Sequence, residues 1–301
     1  MLKYVFFLKN APGATLKKIL CQTVEMALFL CYNKIHQGTE GSISMITISV
    51  LNRKGGAGKT TASINIAAVL AKEKNKRVLL IDLDSQANAT TYLGFYKNNK
   101  PSINDVLCKG TDIKQAVKST DISGLYIIPS DIDFDNADLQ LAFMPTGKEF
   151  ILKKILGTVQ EDYDIVFLDC PPARNNITVN ALAASDYAVL PCEASEFGID
   201  SLQAMGDFIS TVSGYVNSEL KIAGVLFPKK EKTAVQDLYE NAIRSSVPYN
   251  VFRTTIRKTT IVDRSLNAHE PLVIYEPKAA VTDDYRNAAN EILMAMEADN
   301  V

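Results

Sequence analysis

The chain has 301 residues, a formal net charge of −2 and a hydrophobic fraction of 47%, enough apolar material for a substantial core. A mildly acidic balance neither demands nor excludes a nucleic-acid partner, because such binding answers to local patches. The five cysteines (Cys21, Cys31, Cys108, Cys170 and Cys192) are odd in number and show no C-x-x-C spacing, which argues against a disulfide framework or a zinc site and fits a reducing cytoplasm.

Residues 1–44 are apolar and basic, with Lys3, Lys9, Lys17, Lys18 and Lys34 against Glu25 and Glu40. The run Ile19–Tyr32 has the look of a signal-peptide core, but Gln22 and Glu25 break it and no small-residue cleavage site follows. A membrane-touching amphipathic helix is an alternative. The preferred reading is an extension outside the fold, even an upstream start-site artefact, because a buried strand opens directly after Met45. No apolar run is long enough for a membrane-spanning helix.

From Met45 onward, short β-rich runs alternate with helical patterns. Strands are predicted over Ile46–Leu51, Arg77–Asp82, Gly124–Pro129, Asp164–Asp169, Tyr187–Pro191 and Lys221–Phe227. They are rich in Val, Ile and Leu and mostly lack polar alternation, as in strands covered on both faces. Helices are predicted over Lys59–Glu73, Gly147–Gln160, Ser201–Tyr215, Thr233–Ser245 and Asp283–Glu297. This alternation predicts an α/β fold with a doubly wound, mostly parallel sheet and helices on both faces. The flexible stretch is expected at Phe134 to Gly147, which carries acidic residues, Pro145 and Gly147.

The first strand leads into Lys54-Gly55-Gly56-Ala57-Gly58-Lys59-Thr60-Thr61, and a helix follows. Strand, glycine-rich loop and helix make the context of a phosphate cradle. Glycines let backbone N–H groups turn inward at phosphate oxygens, and the helix adds its positive N-terminal end. Lys59 can reach the β- and γ-phosphates of ATP, and the Thr60 hydroxyl can ligate Mg²⁺. The strict spacing G-x-x-x-x-G-K-[ST] would put glycine at position 53, where Arg53 stands. Further on, Asp164-Ile165-Val166-Phe167-Leu168-Asp169-Cys170-Pro171-Pro172 ends four apolar residues on an aspartate. A carboxylate at the carboxyl end of a buried strand is placed to hold Mg²⁺ through water. Taken singly, such an aspartate is as often a helix cap. Cys170 reads as a small buried filler.

These motifs resemble the deviant Walker A ATPases of the ParA/MinD superfamily. Lys54, five residues before Lys59, resembles the family's signature lysine. The resemblance implies that Lys54 reaches across an ATP-sandwiched homodimer to the partner's phosphates. Asp82-Leu83-Asp84-Ser85-Gln86, continued by Ala87-Asn88-Ala89-Thr90, resembles the family's D-x-D-x-Q motif. It implies that Asp84 orients the attacking water and that Asp82 sits near the metal shell with Asp169. The blocks Thr178–Asp186 and Leu190-Pro191-Cys192-Glu193 also resemble the family.

Within the superfamily, the acidic end Met294–Val301 does not resemble a MinD-like basic membrane helix. The cysteines do not suit a cluster carrier, and no tyrosine cluster marks an autokinase. Between Lys221 and Arg264, nine cations stand against four acids in a chain that is acidic overall. A basic face of this kind suits sequence-independent phosphate contact, although a solvated surface would have the same composition. The candidate DNA contacts are Lys229, Lys230, Lys232, Arg257 and Lys258, with Thr254–Thr260 resembling a DNA-contacting loop of partition ATPases. That loop departs from the family's proline-arginine, and Phe227-Pro228-Lys229 departs from the usual residues of a neighbouring nucleotide loop.

The resemblance therefore implies a cytoplasmic, nucleoid-associated partition ATPase. It would dimerise on ATP and Mg²⁺, bind DNA non-specifically and hydrolyse ATP weakly. A centromere-binding ParB-like protein would stimulate release, and no stable membrane association is expected. The alternative is a MinD-like or other cargo-positioning ATPase acting on a membrane or protein matrix.

Overall fold

The computed structural model describes residues 45–96, 99–144 and 146–298. The extension expected over residues 1–44 lies outside the described residues, as do Pro145 and residues 299–301.

The apolar runs become one eight-stranded sheet. Its strands are β1 (Ile46–Val50), β2 (Val78–Asp82), β3 (Lys118–Ser119), β4 (Leu125–Ile128), β5 (Ile165–Asp169), β6 (Tyr187–Pro191), β7 (Lys221–Lys230) and β8 (Val251–Arg257). Their order is β3-β4-β2-β5-β1-β6-β7-β8, and all pairs are parallel except β3 with β4. Every residue of β2, β5 and β6 is buried, which is why their sequences read as unbroken apolar runs. Ile48, Val78, Leu80, Phe167 and Val189 face one layer of core, while Leu79, Ile81, Val166, Leu168 and Leu190 face the other.

The first layer is built by α1 (Lys59–Lys74), α2 (Asn88–Tyr92), the single turn Leu272–Tyr275 and the long C-terminal helix Ala280–Ala298. α1 is buried from Ala62 to Ala71 because it lies in that core on more than one side. The opposite layer holds α3 (Ile103–Lys109), α4 (Ala137–Ala142), α5 (Ile151–Leu156), α6 (Asn176–Ala184) and α7 (Glu196–Tyr215). α8 (Ala234–Ser246) adds Ile243 to it. Side-chain caps start three of these helices: Asn175 accepts from Thr178 N–H, Ser195 from Gly198 N–H and Thr233 from Gln236 N–H. α9 (Thr260–Asn267) begins on Thr259, which accepts from Ile261 N–H, and α10 is the Ala280–Ala298 helix. None of the described helices is long and apolar enough to cross a membrane.

The doubly wound sheet is thus the expected one, with two differences. Phe134–Gly147 is not a bare flexible stretch. Ile132–Asn136 forms a 3₁₀ turn that runs into α4, and Phe134, Ala137 and Leu141 are buried in the core. Their helical spacing is hidden among acidic neighbours. The second difference is β8, whose Thr254–Arg257 had been expected in a loop. β8 is an edge strand with Phe252 and Ile256 buried and its other residues at least partly exposed, so it lacks the unbroken apolar run of the inner strands. Its outer edge is capped: the Glu291 carboxylate accepts from Arg253 N–H (2.6 Å) and Thr254 N–H (2.8 Å). Such cover blunts an open edge against pairing with another chain.

β7 and β8 approach each other closely at one point. A Cβ on Gly224 would stand 2.6 Å from the Phe252 ring, which is fully buried. Gly224→Ala is therefore expected to destabilise the fold by about 1–3 kcal/mol through overpacking. Urea unfolding checks this, and an unshifted midpoint would show that the ring has room to move.

Candidate nucleotide site

β5 lies between β1 and β2, and the register sets Asp169 beside both Val50 and Asp82. The loop after β1 and two carboxylates therefore meet at the carboxyl edge of the sheet, where the strand order reverses direction. This is the expected ligand position in an open α/β sheet.

The loop is held from behind by Asn52. Its amide donates to the Pro191 carbonyl (2.6 Å), and its Oδ1 accepts from Lys54 N–H (2.9 Å) and from the Ser201 hydroxyl (2.5 Å). Gly56 and Gly58 have φ of +74° and +81°, left-handed values that side chains disfavour. Gly58 is also the cap of α1, and a Cβ there would lie 2.8 Å from the Pro228 ring. Gly55 and Gly56 face open space. That space is a cleft of about 340 Å³ bordered by Gly55, Gly56, Lys59, Thr60, Thr61 and Asp84. The inner wall is backbone and the start of a helix, which is the chemistry of an anion cradle. Lys59 is 6% exposed, with its charge inside the site.

Lys54 faces elsewhere. Its ammonium pairs with the Glu193 carboxylate of the same chain, and both side chains remain about one-third exposed (37% and 35%). The two lysines of the loop thus have different surroundings, one inside the cleft and one on its outer flank.

Asp169 is buried, and burial followed by the neighbouring Asp82 pushes its carboxyl well above the usual carboxylate range. Its Oδ1 accepts from the Ser63 hydroxyl (3.1 Å), and the Thr60 hydroxyl lies beside the carboxylate. Its Oδ2 is buried without a protein partner. An orphaned carboxylate oxygen beside a threonine hydroxyl fits a Mg²⁺ shell completed by phosphate oxygens and water. Among the described residues, no group of three or more His, Cys, Asp or Glu side chains could hold a metal alone.

Asp82 is also fully buried, and burial raises its carboxyl in the same direction. Both of its oxygens are engaged. Oδ1 accepts from Asp84 N–H (3.2 Å), and Oδ2 from Thr90 N–H and from the Thr90 hydroxyl (each 2.8 Å). The Thr90 oxygen in turn accepts from Ser130 N–H (2.9 Å). Asp82 thereby stands behind Asp84 and ties the turn after β2 to the end of β4. Asp84 borders the cleft, with Oδ1 accepting from Gln86 N–H (3.0 Å). Cys170 packs next to Asp169 with its thiol pushed up to about 12 by burial, so it offers no nucleophile.

A second cleft, about 150 Å³, opens beyond Gly58 and Thr61, between Pro228, Ile256, Val262 and Tyr285. Its apolar walls suit a flat base beside the phosphate loop.

The cations of the basic segment scatter over several settings. Lys230 is largely buried and paired with Asp237 and Glu240 (3.3 Å for the latter). Its charge is spent inside the fold, so it does not present the free cation expected of a DNA contact. Arg257 lies on β8 with its guanidinium on Asp284 (2.6 and 2.7 Å). Lys258 pairs with Glu231 (2.6 Å) on the exposed surface, and Lys232 is exposed. Lys229 turns away from this group and donates to the Gly56 carbonyl of the phosphate loop (3.1 Å). Sequence reasoning passed over Asn52, Ser63 and Glu193 as working parts, since none carries a local signal. Pro228 inside a strand did carry one, because proline in a sheet marks an edge or a bulge.

Residues 45–222 match the family model described as an AAA domain. Over 250 residues the chain is 32% identical to the sporulation initiation inhibitor protein Soj of Bacillus subtilis, spanning 81% of this chain and 97% of that protein. It is 30% identical to the chromosome-partitioning ATPase Soj of Treponema pallidum, spanning 82% and 96%. Among solved structures, cobyrinic acid a,c-diamide synthase of Mycobacterium smegmatis with bound ADP and magnesium aligns with a TM-score of 0.75 at 27% identity, covering 85% of this chain and 96% of that one. With a glycine loop, two lysines of unlike surroundings and two strand-end aspartates at one sheet edge, the chain belongs to the ParA/MinD family of P-loop ATPases.

Proposed function

We propose that this chain is a partition ATPase that dimerises on ATP, holds DNA without sequence preference while dimeric, and releases it after hydrolysis. The observation that carries this reading is the division of labour between Lys59, inside the cleft, and Lys54, on its flank in an exchangeable pair with Glu193. A partly exposed ion pair is worth little and is readily replaced. In a dimer, a partner's triphosphate offers Lys54 several negative charges in place of one. Exchange of Glu193 for that phosphate would couple ATP occupancy to association.

Inside the cleft, Lys59 and the loop N–H groups would hold the β- and γ-phosphates. Thr60 and Asp169 would hold Mg²⁺, which supplies charge neutralisation on the phosphate oxygens. Asp84, at the cleft border with its oxygens steered by Gln86 N–H, would orient the attacking water. Asp82 would fix Asp84 through its N–H. Electrostatic stabilisation of this kind works when donors and cations are already in place, and a second subunit's lysine completes the set. Hydrolysis in the isolated chain would accordingly be slow.

For DNA, the exposed Lys232 and Lys258 supply the phosphate contacts, with Arg257 beside them on Asp284. Release would be triggered by a centromere-binding ParB-like partner, as the family resemblance implies. The relatives named for chromosome partitioning support this reading over other positioning roles.

Three outcomes test it. Lys59→Ala should abolish ATP and ADP binding in calorimetry, whereas Lys54→Ala should still bind ATP but remain monomeric on a sizing column. Retained nucleotide affinity in the first, or an ATP-dependent dimer in the second, would contradict the division of labour. Asp84→Ala should dimerise on ATP and hydrolyse at least about tenfold more slowly, in line with losing a positioned general-base or water-orienting group; unchanged turnover would remove Asp84 from the chemistry. Binding to arbitrary duplex DNA should require ATP and should weaken about tenfold or more between 50 and 200 mM salt, as a few phosphate contacts demand. Salt-insensitive or absent DNA binding, together with ATP-dependent binding to anionic liposomes, would replace DNA by a membrane as the matrix.

A further inference from the structure

We propose that Lys229 is a nucleotide-contacting residue whose ammonium binds the ribose–α-phosphate portion of ATP and ADP, at the junction of the two clefts. The inference rests on the reading of those clefts as the nucleotide site and goes beyond it by adding a cation that the loop motif does not contain.

The ladder between β7 and β8 is irregular around this residue. Phe227 stands opposite Thr255 and Lys230 opposite Arg257, so β7 spends one more residue than β8 over that interval. Pro228, which has no N–H to give to a ladder, sits in the extra stretch. Lys229 follows with φ +55°, a left-handed value that few side-chain-bearing residues adopt. A β-bulge next to an active site commonly re-aims a side chain, and the strained backbone at Lys229 shows the same thing from another side. Here the bulge lays the Pro228 ring against Gly58 and swings the Lys229 ammonium over the loop to within 3.1 Å of the Gly56 carbonyl.

A single neutral carbonyl is a poor partner for an exposed ammonium, and a phosphate oxygen is a better one. Lys229 borders the phosphate cleft together with Gly55, Lys59 and Asp84. It also borders the apolar cleft beyond Gly58. Among the described residues it is the only cation common to both, whereas Lys59 lines the phosphate cleft alone. A ligand spanning the two clefts must pass Lys229 between its base and its terminal phosphates. That portion is shared by ATP and ADP, so the contact would favour both equally.

The test uses the full chain with Mg²⁺ and compares wild type, Lys229→Met and Lys229→Arg by calorimetry with ADP and with ATP. Methionine keeps the length of the side chain and removes the charge at an exposed position. The expected result is a loss of about five- to twentyfold in affinity for both nucleotides, as one charge-assisted bond predicts. Arginine should restore most of the loss, and ADP binding to Lys229→Met should depend less on salt than in wild type. A loss confined to ATP would place Lys229 at the γ-phosphate and overturn the assignment. Unchanged affinities, with the salt slope of DNA binding reduced by about one, would make it a DNA contact instead. A lower apo melting temperature with unaltered salt dependence of ADP binding would make it a strut for Gly56. Failure of wild type itself to bind ADP would overturn the nucleotide-site reading, a result distinct from all of these.

Discussion

The placement of β5 between β1 and β2 is the constraint on which the site depends. Parallel pairing in register brings Val50, Asp82 and Asp169 to one level at the carboxyl edge. Nothing local to any of the three strands would do so. Once they are level, the loop leaving β1 must rise over two carboxylates that the core has stripped of water. Burial raises both carboxyls, and the neighbouring Asp82 raises that of Asp169 further. Their solutions differ: Asp82 satisfies its oxygens on Thr90 and Asp84 N–H, while Asp169 keeps one oxygen without a protein partner. An unpaired buried carboxylate oxygen is costly unless a cation or donor arrives. The open half of the site is therefore built into the sheet, and the loop offers a cradle for the anion that would accompany the cation.

The parts of this arrangement that are contiguous in sequence could be read from it. The loop Lys54–Thr61 carries its strand, glycines and helix within a few turns of chain, and the aspartates stand at the ends of apolar runs whose only use is a doubly covered strand. What could not be read depends on residues distant along the chain. The basic excess between Lys221 and Arg264 suggested one free cationic face. In the folded chain Lys230 of β7 lies between Asp237 and Glu240 of α8, and Arg257 of β8 holds Asp284 of α10, outside that segment. Counting charges along a segment cannot show which are neutralised across elements. β8 was missed for a related reason: an edge strand buries too little to leave an unbroken apolar run. The helical turns from Ile132 to Ala142 were missed because Asp133, Asp135 and Asp138 are interleaved with the three apolar anchors that pin them.

Rigid and exchangeable contacts divide cleanly around the loop. Asn52 joins it to the end of β6 and to α7 through neutral hydrogen bonds that are buried or nearly so. These cannot be given up without stranding polar groups, and so they fix the backbone. Lys54, two residues on, has a partly exposed carboxylate as its partner, which solvent screens and a stronger anion can displace. The same contrast separates Asp82, whose bonds are internal, from Asp84, whose carboxylate borders the cleft.

In the proposed ATPase this division would let the site hold a nucleotide without being frozen shut. Preorganised groups stabilise charge only if they need not reorganise when it appears, so the cradle, Lys59 and the Thr60–Asp169 pair must be stiff. Communication with a second subunit needs the opposite property, a group whose two partners differ little in free energy. In the proposed dimer Lys54 would meet that need, because its pairing with Glu193 is partly exposed and the backbone of Glu193 is packed from behind. A Cβ on Gly198 would fall 2.1 Å from the Glu193 carbonyl, so the start of α7 packs directly against the backbone that carries the carboxylate. In the proposed dimer, a weak partner kept at the loop would return the lysine to the same place after each exchange, as a reversible cycle of association requires.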